Sequence, residues 1–310
     1  MTAELANEAI QLLRQMIAIP SFSKEEKEIA DFLEQYLTER GYVVFRHLNN
    51  IWLQSPGFDV SRPTILLNSH LDTVKPGSSW IRNPFEASLK NGKLFGLGSN
   101  DAGASLVSLL QVFFYLTQRT QPYNLIFAAT AEEEISGKNG IEIMLQEFPK
   151  VDFAIVGEPT GMNMAIAERG LMVIDATVTG KSGHAAREEG ENAIYKALDA
   201  INWFKNYRFA KVSPLLGPVK MTVTQINGGI QHNMIPDKCT FVVDVRSNEL
   251  YSNEEILEII RENVDCRIEP RSVRLCSTAT QPDHPIIKRA QQMNLTLYGS
   301  PTLSDQALMP

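Results

Sequence analysis

Between Thr64 and Gly157 three apolar runs, TILLNS (64–69), NLIFAAT (124–130) and VDFAIVG (151–157), alternate with segments of helical periodicity. Runs that are apolar on both faces suit strands buried inside a sheet, and their alternation with helices predicts an α/β sheet covered by helices on both faces. Further strands are expected at 42–47 and 50–54, and helices at 7–19, 24–40, 102–119 and 138–147. The 24–40 helix opens at Ser23, carries Glu26 three residues later in a capping-box pattern, and stops before Gly41.

From about Arg169 the pattern changes. Residues 171–179, 219–227, 239–246 and 267–275 read as extended segments, with helices at 192–206 and 253–263. That order, β-α-β-β-α-β, is the split βαβ (ferredoxin-like) arrangement, a compact α+β module of its own. Residues 285–297 return to a helix. The expected organisation is a catalytic sheet domain from 1–168 and 282–310, interrupted by an inserted domain at 169–281.

The formal charge of -7, with no offsetting basic cluster, argues against nucleic acid as a partner. Three cysteines without C-x-x-C spacing suit neither a disulfide framework nor a zinc knuckle, and read as thiols of a reducing compartment. The amphipathic, acidic N-terminus has no basic n-region, and the longest apolar stretch, around 105–116, is too short to span a bilayer. A soluble, cytoplasmic protein is expected.

Ligand sites in open α/β sheets form beyond the carboxyl ends of the strands. Here His70 and Asp72 follow TILLNS, Glu132, Glu133 and Glu134 follow NLIFAAT, and Glu158 follows VDFAIVG. Asp101 follows the glycine-rich GLGSN and precedes a helix. Singly each has a bland explanation: a satisfied structural histidine, a helix cap at Asp101, a solvated run of glutamates. Their coincidence at one edge is the informative point, because converging carboxylates raise one another's pKa values unless cations sit among them. Mixed imidazole and carboxylate ligands suit zinc, with cobalt or manganese as substitutes. Gly180-Lys181-Ser182 is no P-loop, since Asp175 stands where its first glycine belongs, and no G-x-S-x-G or H-E-x-x-H occurs.

The stretches HLDTV (70–74), GLGSNDAGAS (96–105), TAEEEISG (130–137) and GEPT (157–160) resemble the peptidase M20 metallohydrolases, and within them the acetylornithine deacetylase and succinyl-diaminopimelate desuccinylase group. The resemblance runs over essentially all 310 residues. It implies a metallopeptidase-type catalytic domain with a mostly parallel sheet, a lid that dimerises through 169–281, and two divalent metal ions. Asp101 would bridge them, with His70 and Glu158 completing one site and Glu134 in the other. Asp72 would orient His70, Glu133 would be the general base, and His184 would reach the partner subunit's site to stabilise the oxyanion. Asn233 and Arg246 match positions that hold a substrate carboxylate. Glu132 receives no role.

The activity so implied is hydrolysis of the amide of an N-acyl amino acid, as in an acetylornithine deacetylase of arginine biosynthesis. A desuccinylase, an acetylcitrulline deacetylase, a metallo-dipeptidase and a non-catalytic relative are the alternatives. One family feature is not matched: a last histidine ligand after a glycine-rich turn that would follow PTLSDQALMP (301–310), and none of the five histidines fills that place. The expectation is that the sequence forms part of a longer protein.

Overall fold

A computed structural model describes residues 2–187 and 189–309. Two compact units make up the chain, Met1–Gly161 with Met309–Pro310, and Met162–Leu308.

The first unit contains α1 (Thr2–Ile17), α2 (Lys27–Glu39), β1 (Val44–His47), β2 (Asn50–Gln54), β3 (Thr64–His70), a small hairpin β4 (Ser88–Lys90) and β5 (Lys93–Phe95), α3 (Ala104–Thr117), β6 (Asn124–Thr130), α4 (Ile141–Met144) and β7 (Phe153–Val156). Its five-stranded sheet has the order β1-β2-β6-β3-β7. The expected parallel centre is β6-β3-β7, and β2 and β1 run antiparallel at one side. Every residue of β6 is buried, which is why its sequence reads as an unbroken apolar run rather than an alternating one. Leu12 and Ile17 of α1, Leu33 and Leu37 of α2, and Leu106, Leu110 and Phe113 of α3 share a core with Leu53, Leu67 and Phe127 of the sheet. Each such side chain contributes roughly 2 kcal/mol of gross burial free energy.

Two local expectations fail here. Ser23 does not cap α2: the helix starts at Lys27 with Glu26 at its N-cap and no side-chain cap bond, and the Ser23 hydroxyl donates instead to Asp72 Oδ2 at 2.6 Å. The helix expected over 138–147 shrinks to the four residues of α4, because the segment before it is bound into a turn by buried side chains.

The second unit contains β8 (Met164–Glu168), β9 (Met172–Thr179), β10 (Gly183–His184), α5 (Ala193–Asn206), β11 (Lys220–Gly228), β12 (Met234–Ile235), β13 (Lys238–Arg246), α6 (Asn253–Asn263), β14 (Arg267–Pro270), β15 (Thr278–Ala279), α7 (Pro285–Gln292) and β16 (Leu297–Ser300). The four strands of the expected split βαβ arrangement form the antiparallel sheet β11-β13-β9-β14. Buried and half-buried residues alternate along β9 and β13, and the buried set meets Ala197 and Phe204 of α5 and Ile256 and Ile260 of α6. Asn192 caps α5 through its side chain, and Ser252 with Glu255 forms a capping box on α6.

Strand β8 lies outside the expected elements. It joins the end of the chain, pairing antiparallel with β15 and parallel with β16. Residues 162–168 and 282–308, expected with the catalytic sheet domain, thus associate with one another inside this second compact unit. Among the described residues no helix is long and apolar enough to cross a membrane.

Candidate metal centre

His70 is the last residue of β3, paired in register with Thr130 at the end of β6, and its imidazole is fully buried. Its Nδ1 lies 2.9 Å from the backbone carbonyl of Asp72. A carbonyl only accepts, so Nδ1 carries a proton and Nε2 is the atom left for a ligand. Nε2 lies 3.1 Å from Asp101 Oδ1 and 3.8 Å from Glu133 Oε2.

Asp101 is delivered by the irregular turn Ser99–Gly103. Gly98 opens that turn in the left-handed region, at φ 69°, and a Cβ there would come within 2.6 Å of Thr73 Cγ2. Only glycine fits both conditions. The peptide bond between Asp101 and Ala102 is cis. Glu158 arrives from the end of β7 through Gly157, whose N–H donates to Asn68 of β3 at 2.7 Å. One ligand atom from each of His70, Asp101 and Glu158 lies within 4.8 Å of the others, a spacing one divalent cation spans. One imidazole and two carboxylates are an appropriate donor set for zinc, cobalt or manganese, so these residues fit a metal.

Glu133 and Glu134 stand on a single turn of helix, Glu133–Ile135, just past β6. Asp72 pins that turn. Its Oδ1 accepts the Glu133 N–H at 3.0 Å and its Oδ2 the Glu134 N–H at 3.2 Å. Toward His70 the Asp72 carboxylate stands 3.5 Å from Nδ1, farther than its own backbone carbonyl. The main chain thus approaches His70 more closely than the Asp72 carboxylate does, and the closer bonds of that carboxylate go to Ser23 and to the glutamate turn.

These contacts set the electrostatics. Burial alone would depress the His70 pKa; hydrogen bonding to Asp101 and Asp72, with the charges of Glu133 and Glu158, overcomes it and holds the imidazole well above its usual 6.5. Burial would raise Asp72, but His70, Ser23 and the Glu133 N–H pull it below the usual carboxylate value. Glu134 is raised, first by burial and then by the charge of Asp101. A site that gathers acids and stabilises a proton on its histidine is one where a cation can replace that proton.

His184, Asn233 and Arg246 belong to the second unit. There the ribbon of β10 and β12 brings two of them together: His184 faces Met234 in register, and the Ala185 N–H donates to the Asn233 carbonyl at 3.0 Å. The His184 side chain is exposed, with Nδ1 accepting from the Ala186 N–H at 3.1 Å. Arg246 does not offer an open fork, since its Nε and Nη2 are engaged by Asp244 at 2.9 and 3.1 Å. Ser23, Glu26, Asn50 and Glu132, none of which has an expected role at the site, support the glutamate turn. Ser23 and Glu26 were visible only as a helix-capping pattern, and no local signal distinguishes that from a long-range role.

Two family models match the chain: a peptidase dimerisation domain over residues 166–270, of the M20 type, and peptidase family M28 over residues 50–200. An uncharacterised metallohydrolase of Methanocaldococcus jannaschii is 31% identical over 299 residues, covering 84% of this chain and 72% of the relative. A succinyl-diaminopimelate desuccinylase of Orientia tsutsugamushi is 27% identical over 279 residues, covering 83% and 71%. Among solved structures, the aminopeptidase PepT from Bacillus cereus superposes with a TM-score of 0.78 at 21% identity, covering 99% of this chain and 87% of that one. A dinuclear metal-binding M20 peptidase from Bacillus subtilis superposes with a TM-score of 0.73 at 16% identity, covering 99% and 86%.

Proposed function

The chain belongs to the M20 peptidase family, as an enzyme among its metallohydrolases, and from that premise we propose that it hydrolyses the amide bond of an N-acyl amino acid with two divalent metal ions, zinc foremost. The observation that carries the reading is the approach of His70, Asp101 and Glu158 ligand atoms to within 4.8 Å. A desuccinylase among the relatives supports the acyl-amino-acid class, and the dinuclear M20 peptidase supports the number of metals. Three unpaired thiols suit a cytoplasmic enzyme.

His70, Asp101 and Glu158 would hold one ion, and Asp101 with Glu134 the second. Bound there, the ions would polarise the scissile carbonyl and acidify an attacking water. Glu133 takes the proton of that water and delivers it to the leaving amine. Asp72 keeps Glu133 in place through its main chain and not through its carboxylate. In the second unit, His184 would stabilise the tetrahedral oxyanion in a partner subunit's site, in a homodimer formed through 169–281. Asn233 and Arg246 would bind the substrate carboxylate, the latter by exchanging Asp244 for it, since a guanidinium fork fits either carboxylate. Acetylornithine is the leading substrate, ahead of the N-succinyl and acetylcitrulline compounds.

The test is metal analysis with a substrate panel. Two equivalents of zinc, and turnover of N-acetyl or N-succinyl amino acids in preference to dipeptides, are expected. Preference for dipeptides would make it a metallo-dipeptidase. Full metal occupancy without turnover of either class would overturn the N-acyl amino acid reading.

A further inference from the structure

We propose that Glu26 is a positioning residue for the glutamate turn, acting through the main chain of Glu132; the catalytic half of this inference rests on the reading of Glu133 as base and Glu134 as ligand. Glu26 is 0% exposed. Its Oε1 accepts the Lys24 N–H at 2.6 Å and the Glu132 N–H at 3.2 Å, and its Oε2 accepts from Asn49 Nδ2 at 3.0 Å. A buried carboxylate that binds a backbone donor 106 residues away, on the residue before the proposed base, does more than begin a helix.

The turn it holds is not one the chain adopts unaided. Glu132 has φ 57° and Ser136 φ 47°, both in the left-handed region and neither a glycine. Such residues persist where the surroundings over-determine them, and they concentrate at functional sites. Three buried groups do this here. Glu26 fixes the Glu132 N–H. The Glu132 carboxylate folds back across Gly137 and accepts from Asn139 Nδ2 at 2.9 Å. It passes so close that a Cβ on Gly137 would meet its Oε2 at 1.9 Å. Asn50, also 0% exposed, closes the base of the loop, with Oδ1 accepting the Ala131 N–H at 2.9 Å and Nδ2 donating to the Asn139 carbonyl at 2.6 Å. Asp72 then holds the next two N–H groups from the other side. The glutamate turn is therefore clamped between two carboxylates, and of the two only Asp72 also touches His70. Glu26 sets the direction in which Glu133 and Glu134 leave the sheet without belonging to the metal cluster.

The experiment compares Glu26→Leu, which keeps volume and removes both acceptors, with Glu26→Gln, which keeps one acceptor oxygen. Three readings are taken on the full chain: amide hydrogen exchange over 130–140 without metal, zinc titration, and kcat and KM of the zinc-loaded protein. Glu26→Leu is expected to speed exchange in that segment at least tenfold, weaken the second zinc equivalent at least tenfold, and lower kcat about 10- to 100-fold at nearly unchanged KM. Glu26→Gln should restore all three to within a few fold. Unchanged exchange overturns the clamp. Faster exchange with unchanged zinc affinity and unchanged kcat overturns the positioning role and leaves a structural one. If Glu26→Leu does not fold, Asn139→Ala, at an exposed position, must speed exchange in the same segment, and failure to do so overturns the clamp. Absence of turnover in the unsubstituted protein counts against the proposed function alone, because exchange and zinc titration still decide the clamp.

Discussion

The Glu133 backbone N–H donates to Oδ1 of Asp72 at 3.0 Å, joining the loop after β3 to the loop after β6 at the point where each presents its functional group. Asp72 also accepts from Glu134 and Ser23, so three donors of the site depend on one buried carboxylate. Asp72→Asn exchanges one acceptor oxygen for an amide that faces one of the two glutamate N–H groups. Outer partners of metal ligands are worth about 10- to 100-fold in affinity or activity. Asp72→Asn is therefore expected to lose that much in both zinc affinity and kcat while retaining its fold, as followed by zinc titration and circular dichroism. Wild-type affinity and kcat would show that Asp72 is dispensable to the site.

Neighbouring glutamates on one turn of helix should respond differently to the same substitution. Glu133→Gln should keep both metals and lose turnover by about two orders of magnitude or more, as loss of a general base does. Glu134→Gln should weaken metal binding first, since its carboxylate is held among Asp101, His70 and the Val74 N–H. Metal content per folded molecule, measured beside kcat, separates the two. Equal metal loss in both variants would show the roles to be misassigned.

What was legible in the sequence follows the range of the interactions. Strand β2 and helix α6 occupy the expected 50–54 and 253–263, because buried apolar periodicity and a local capping box define them. The approach of His70, Asp101 and Glu158 was readable for a related reason: each closes an apolar strand or a glycine-rich turn at the same sheet edge. Ser23 and Glu26 misled, because a hydroxyl and a carboxylate at capping distance were recruited by partners 49 and 106 residues away. The same long-range clamp took residues 138–140 out of the expected helix. Strand β8 escaped because its pairing partners lie more than 100 residues further along the chain.

His184 offers a test of the dimer. It is exposed, and its ribbon holds it by backbone pairing and a local Nδ1 contact, so His184→Ala should fold normally. Activity should fall about 100-fold or more if the imidazole stabilises an oxyanion. Mixing His184→Ala with Glu133→Gln subunits should recover activity, because each hybrid dimer would contain one site with an intact base and the partner's intact histidine. Absence of recovery in dimers shown by mass spectrometry to have exchanged subunits would place the function of His184 within its own chain.

Proton and metal should compete for His70. The folded imidazole has its pKa well above 6.5, against burial, because Asp101, Asp72, Glu133 and Glu158 surround it. A raised folded value means that protonated His70 stabilises the metal-free fold fully below about pH 6.5, and that this stabilisation drains away as pH climbs through the folded pKa. Asp72, with its pKa lowered, acts in the opposite sense and only under acid conditions, losing its contribution as pH falls through its folded value. Above pH 6.5 the Tm of the metal-free protein should thus fall more steeply with pH than that of His70→Gln. Zinc, which requires a deprotonated Nε2, should bind more tightly as pH rises, by up to about tenfold per pH unit while one proton is displaced. Calorimetric titration with zinc at pH 7 in two buffers of different ionisation enthalpy should reveal proton release with the first equivalent. A buffer-independent heat would mean that His70 carries no proton for the metal to displace, and that the acids around it do not act on it as their distances indicate.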